Sequence, residues 1–295
     1  MPHTPFIWHA GDVLRLAGAR VLDERDLIDV RGVFDNDPVA ACMVAARVEV
    51  AGLDPWRLGG EMWGSDSRPL RGRVDGLCFS GPNLIPLKGS ASAMRMFADR
   101  ARRRGRMCSS LVGPAEQVLT LWDELQPDWG PAREVRGDQP LMAISSSPKI
   151  TPDPLVRQVR PSEIGRYLPA AISMFIEEVG IDPCAEDGGA GYRARVSELI
   201  AAGRAFARFE HGEVVFKAEI GAMSSRVGQI QGVWVRPDRR GEGIGTAGTA
   251  AVADRLVRVL NRTASLYVNG YNHVAQAAYR RIGFEQVGQY ATVLF

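Results

Sequence analysis

Cysteine is scarce in these 295 residues. Cys42, Cys78, Cys108 and Cys184 are the only four, and no two stand as C-x-x-C. Neither they nor the four histidines have the spacing of metal ligands, so a disulfide framework is excluded and no metal site is predicted. Cys42 and Cys78 lie in apolar segments, where a buried free thiol is the ordinary state. Reduced thiols predict a cytoplasmic protein. No uninterrupted apolar run has the length of a membrane span. Asp12 and Arg15 interrupt the N-terminus before a signal-peptide core can form. An excess of one charge is also missing. Thirty-six basic and 34 acidic residues leave a formal net charge of +2. Global electrostatics therefore implies neither a nucleic acid nor a membrane as partner. Lys88, Lys149 and Lys217 are the only lysines among the basic residues, a bias read as genomic base composition and not as function.

What is present is enough apolar material for a sizeable core, 45% of the chain, and a length that suits two domains of ordinary size. One stretch names a chemistry. Ile230 to Val235 is an apolar, Val- and Trp-rich run that reads as a buried strand, and Pro237 ends it because proline cannot donate to a ladder. Arg239-Arg240-Gly241-Glu242-Gly243-Ile244-Gly245 forms a basic, glycine-rich turn. Thr246 to Leu260 then reads as a helix with one apolar stripe. A strand, a glycine loop and a helix N-terminus aim several N–H groups and a helix dipole at one point, which suits a phosphate or pyrophosphate. No Gly-Lys-Ser/Thr follows, so it is not a P-loop. No acidic strand end comes about 20 residues later, so it is not a dinucleotide fingerprint.

The loop fits R-x-x-G-x-G as Arg240, Gly243 and Gly245. Downstream, after a short strand at Ser265 to Val268, Asn272, Ala275, Tyr279, Gly283 and Phe284 stand as N-x-x-A-x-x-x-Y-x-x-x-G-F. Both motifs together resemble the GCN5-related N-acetyltransferases (GNAT), which bind acetyl-CoA. The resemblance implies that Val233, Trp234 and Val235 pair with the pantetheine arm, with one N–H near Trp234 or Val235 meeting the thioester oxygen. It implies that Arg240, Gly241, Glu242, Gly243, Ile244, Gly245 and Thr246 hold the pyrophosphate. Asn272 would bond the pantetheine and cap its helix, and Tyr279 would be the general acid. Many members carry a Glu on the central strand, but Gln229-Ile230-Gln231 offers no carboxylate. Glu219 is the first candidate for the base, against a plain reading in which it faces solvent or pairs with Lys217. Glu177 and Glu178 are candidates for lining the acceptor site, and the C-terminal carboxylate of Phe295 is a further candidate beside the cleft.

Both halves read strand, two helices, three strands, helix, strand, helix, strand, the order expected of a tandem duplication. The N-terminal half gives Leu14 to Leu22 as a strand, then helices from Asp23 and over Val39 to Val50. Strands over Gly59 to Trp63, Val74 to Phe79 and Leu84 to Leu87 follow. Arg133 to Val135 and Leu141 to Ile144 would close it. A Ser/Pro-rich connector, Ser145 to Pro154, joins the halves. The expected fold class is α/β (α+β): tandem GNAT folds, each a mixed, mostly antiparallel sheet flanked by helices. The expected domains are 1–147, a degenerate GNAT-like unit, and 148–295, the acetyl-CoA-binding unit. Lys88-Gly89-Ser90-Ala91 enters its helix without a cofactor loop. The whole chain is similar to actinobacterial tandem GNAT proteins with such an N-terminal half. Arg100 to Arg106 reads first as cations at a helix C-terminus, since no aromatics interleave for stacking on bases.

The expected function is acetyl transfer from acetyl-CoA to an amine by direct attack in a ternary complex, without a metal. A small molecule or a protein amine would be the acceptor. The alternative is an acyl-CoA-binding regulatory module. Acceptor identity and assembly, a homodimer included, are left open by the residues.

Overall fold

A computed structural model describes residues 18–65, 74–185 and 187–295. The start of the strand expected from Leu14 lies outside them. The N-terminal half opens with β1 (Arg20–Val21), α1 (Leu27–Asn36), α2 (Pro38–Ala51) and a short α3 (Pro55–Leu58). It continues with β2 (Glu61–Ser65), β3 (Gly76–Ser80), β4 (Asn83–Lys88), α4 (Ala91–Arg104), β5 (Ser110–Pro114), α5 (Ala115–Trp129) and β6 (Glu134–Ile144). The C-terminal half runs β7 (Arg157–Gln158), α6 (Ile164–Val179), α7 (Ala190–Ala201), β8 (Ala205–Glu210), β9 (Glu213–Met223) and β10 (Val227–Val235). Then come α8 (Ile244–Asp254), β11 (Thr263–Tyr267), α9 (His273–Ile282) and β12 (Glu285–Leu294).

Local chemistry sets the element ends. Asp37 caps α2 by accepting from the Ala40 N–H at 2.9 Å, with Pro38 at the first helical position. Asn272 caps α9 by accepting from the Ala275 N–H at 3.1 Å. Gly180 and Gly283 end α6 and α9 in the left-handed region that β-carbons disfavour. The helix expected to run to Leu260 is α-helical only to Asp254 and continues as a π-turn over Arg255–Val259. No helix among the described residues is long and apolar enough to cross a membrane.

All twelve strands form one sheet in the order β1-β2-β3-β4-β5-β12-β6-β11-β10-β9-β8-β7. It is mostly antiparallel; β4–β5 and β10–β11 are the parallel pairs. The order maps onto itself when each strand is exchanged for the one six later, so the halves are related by a pseudo-two-fold axis between β12 and β6. Neither half closes its own sheet, which departs from the expected pair of separate sheets. The chain's last strand lies between β5 and β6, and β6 lies between β12 and β11. The expected 147/148 junction falls in the connector between β6 and β7, and the sheet runs across it.

The separate strands expected at 133–135 and 141–144 are joined in one strand, β6. Pro140 sits one position past Leu141, the last β6 partner of β11, so its missing N–H removes no bond from that ladder. The exchange is packed as well as hydrogen-bonded. Tyr290 of β12 is fully buried in the N-terminal core and donates to the Ala40 carbonyl at 2.6 Å. Met142 and Ile144 of β6 are buried in the C-terminal core against Phe216 and Leu266. Phe295, considered as a group beside the cleft, instead packs its ring on Trp122 and Trp129 of the N-terminal half, at 5.6 and 5.7 Å between centroids. The basic run is answered locally. Arg100 and Arg104 pair with Glu61, and Arg102 pairs with Asp99 and Asp128.

Candidate active site

The site forms where β10 and β11 part. Their parallel pairing holds Val227–Gln229 against Thr263–Ser265 and goes no further. On the other edge of β10, Gln231 faces Glu219 and Trp234 faces Lys217, so Gly232 and Val233 stand opposite the single residue Ala218. This is a β-bulge, a device that re-aims side chains and backbone at a strand edge. Gly232 has φ +57°, and a Cβ on it would come within 3.0 Å of the Lys217 Nζ. Only glycine meets both conditions.

Two cavities meet at the bulge. One of about 560 Å³ lies along the glycine loop. The other, a cleft of about 700 Å³, runs from β10 and the end of α6 toward β6. Glu177, Val233, Trp234, Asn272 and Tyr279 line both.

The first cavity is built for an anion. Gly241 and Gly243 have φ of +85° and +81°, which turns the chain tightly into α8. That helix starts at Gly243 with no side-chain cap. The N–H groups of residues 241–246 donate to no carbonyl or side chain among the described residues. Free donors at a helix start form a nest for a phosphate oxygen. The equivalent helix of the N-terminal half, α4, caps itself: Ser90 accepts from the Ala93 N–H, and its carbonyl accepts from the Met94 N–H. Val235, Arg240, Ile244, Gly245 and Thr246 line this cavity with Gly241 and Gly243. Glu242 does not; its carboxylate turns to Arg239 at 3.0 Å. Arg240 donates to the Val235 carbonyl at 3.0 Å and to Glu177 at 2.6 Å. Sequence reasoning missed Arg281, which α9 adds to the wall.

Tyr279 stands between the cavities. It is buried, and among the described residues its hydroxyl has no hydrogen-bond partner. Burial, and then the Glu178 charge, raise its pKa, so the phenol keeps its proton at neutral pH.

The second cleft holds the carboxylates. Glu219 is buried, and its Oε1 accepts from Lys217 at 2.8 Å and from Tyr167 at 2.9 Å. Burial opposes ionisation, but Lys217, then Tyr167 and Gln231, outweigh it and hold the Glu219 carboxyl below the usual glutamate range. Lys217 is wholly buried, and that burial lowers its own pKa despite the Glu219 partner. The geometry is therefore the Lys217 ion pair. Glu178 is different. Much of its surface is open, yet its carboxyl faces the cleft and takes no hydrogen bond from the described residues. Desolvation raises its pKa; Arg136 and Lys217 oppose this, and Glu219 reinforces it. Glu177 is engaged, accepting from the Trp234 indole N–H at 3.0 Å as well as from Arg240.

The N-terminal half reaches into this cleft through β6. Arg133 and Arg136 donate to the Val179 and Glu178 carbonyls, each at 2.8 Å, and so cap the end of α6 that carries both glutamates. Gln139 lines the cleft and is held by Asn269 and Thr292 at 2.8 and 2.7 Å. Nothing local in β6 signals these contacts.

Residues 176–284 match the Acetyltransferase (GNAT) family, and residues 60–167 match a domain of unknown function, DUF4081. The chain carries a GNAT acetyltransferase domain. Solved structures share the fold across both halves. A GNAT-family acetyltransferase from Colwellia psychrerythraea is 10% identical, with 94% of this chain and 99% of that one covered at a TM-score of 0.53. A GCN5-related N-acetyltransferase from Sphaerobacter thermophilus is 18% identical, with 93% of each chain covered at a TM-score of 0.56. A Drosophila protein is 12% identical, with 94% and 98% covered at a TM-score of 0.64. The comparison with curated proteins gave no match. The GNAT domain contains every residue of the two sequence motifs.

Proposed function

We propose that the chain is an acetyl-CoA-dependent N-acetyltransferase acting on an amine in a ternary complex. Residues 148–295 would form the transferase unit. Residues 1–147, which lack the cofactor loop, would wall the acceptor cleft. The observation that most supports this is Tyr279, a buried phenol whose hydroxyl has no partner among the described residues, set where a cavity with an uncapped helix start meets a cleft lined by carboxylates.

Bound acetyl-CoA would supply an acetyl group activated as a thioester. The free N–H groups of residues 241–246 would take its pyrophosphate, with Arg240 and Arg281 beside them. Arg236 donates to the Val215 carbonyl at 3.0 Å. By the two-residue alternation of an antiparallel ladder, the Trp234 N–H then faces β9 and the Val235 N–H faces the splay. Of the two donors considered from sequence, Val235 is thus the one suited to the thioester oxygen. One such preorganised donor is worth roughly 3 kcal/mol in a comparable case. Glu178, with a raised pKa and open lone pairs, is better suited than Glu219 to take the proton of the attacking amine. Glu219 is already ion-paired. Tyr279 would return a proton to the departing sulfur.

Calorimetric titration of acetyl-CoA into the full chain tests this, with Gly243→Val beside it. A Cβ added there meets no protein atom within 4 Å, so the substitution would act through the φ of +81° and by intruding on the cavity it lines. Binding by the native protein and loss in the variant are expected; no binding by the native protein would refute the reading.

A further inference from the structure

Two of the four charged side chains on the cleft wall are committed. Glu177 is tied to Trp234 and Arg240, and Glu219 to Lys217 and Tyr167. Two are not. The Glu178 carboxyl takes no hydrogen bond, and Arg195 makes no hydrogen bond or ion pair with any described residue. Arg195 is the one cationic side chain on this wall among the described residues, and none of the three carboxylates closes on it.

Arg195 is placed by a fixed element. Tyr192, one turn earlier on α7, donates to the Ala171 carbonyl at 2.9 Å and packs on Phe175 at 5.2 Å between ring centroids. Residues three apart share a helix face, so both open on the cleft. The two uncommitted charges line one cleft, Glu178 from the end of α6 and Arg195 from α7, and among the described residues no hydrogen bond or ion pair joins them.

We propose that the acceptor is a small amine that also carries an anionic oxygen group, a carboxylate or a phosphate, with its amine against Glu178 and its anion on Arg195. This rests on the transferase reading given above. A guanidinium fork matches both anions through paired N–H donors. An amine on a protein surface with no acidic group near it would leave Arg195 unanswered.

The test uses the full chain, acetyl-CoA and matched acceptors, with release of free CoA thiol as the readout. One pair is an amino acid and its carboxamide; the other is phosphoethanolamine and ethanolamine. A lysine peptide without acidic residues is the third arm. The anionic member of a pair is expected to be preferred by about 10- to 100-fold in kcat/KM, the span of one charge-assisted hydrogen bond. Which pair shows the preference identifies the anion. Arg195→Gln should bring that ratio to about one, and Arg195→Glu should turn preference toward an amine with a second cationic group; neither should change acetyl-CoA binding. Equal use of the neutral partners or of the peptide, no turnover of any anionic member, or an unchanged ratio in Arg195→Gln overturns the proposal. Acetyl-CoA binding under any of those results leaves the transferase reading standing. Failure of acetyl-CoA to bind the native protein removes both.

Discussion

Cutting the chain at its sequence junction should not release a folded transferase. A fragment of residues 148–295 keeps every motif residue but loses β6. That strand pairs with β11 from Ala264↔Ile144 to Tyr267↔Leu141 and with β12 from Glu285 to Leu294. Met142 and Ile144, 0% and 4% exposed, would leave holes in the C-terminal core. Losing a buried side chain of this size costs about 2–5 kcal/mol, so the two together cost about 4–10 kcal/mol. Whole domains are stable by only about 5–15 kcal/mol. The facing edges of β11 and β12 would also be left open for association. The fragment is expected to be unfolded or aggregated by circular dichroism and size-exclusion chromatography. A fragment of residues 134–295, which restores β6, should recover much of the structure. A monomeric 148–295 fragment that melts cooperatively near the Tm of the full chain and binds acetyl-CoA would refute the reasoning.

Tyr279→Phe should lower kcat by about 10²-fold or more, as loss of a general acid does, with acetyl-CoA affinity little changed by calorimetry. Activity should rise with pH through a pKa above the ordinary glutamate value, because Glu178 must lose a proton that desolvation helps it keep; Glu178→Gln should remove that limb from the kcat/KM profile. Lys217→Met leaves Glu219 buried without its cation, which costs about 3–5 kcal/mol in denaturant titrations, and the double change Lys217→Met/Glu219→Leu should recover most of it. Glu219 has its folded pKa below its unfolded one, so its contribution is full above the ordinary glutamate range and lost on acidification through the folded value. The acid-side fall in stability should therefore shrink in Lys217→Met. Glu177→Gln frees Arg240 from an exposed carboxylate, and acetyl-CoA should then bind equally or more tightly.

Sequence alone determined what is local. The glycine loop and the start of α8 lie within a few residues of one another, and their chemistry is carried by glycine conformations and by N–H groups that any reader of the chain can count. Tyr279 and Asn272 share one helix and its cap, so their placement also follows from short-range periodicity. The element order of both halves was legible for the same reason. Tertiary structure alone decided which half completes which. A strand's alternation is the same whatever its partner, so nothing in β6 or β12 announces that each pairs across the junction, with Gln286 beside Met142 more than 140 positions away. It also decided the carboxylates. Glu219 reads as a candidate base until the fold brings Tyr167 to it from α6 and buries it with Lys217. Glu178 reads only as one of two candidates for lining the acceptor site until the β6 arginines fix the end of α6 over the cleft. Charge in a sequence is a residue type, but its chemistry is set by solvent and neighbours, and those exist only once the chain is folded.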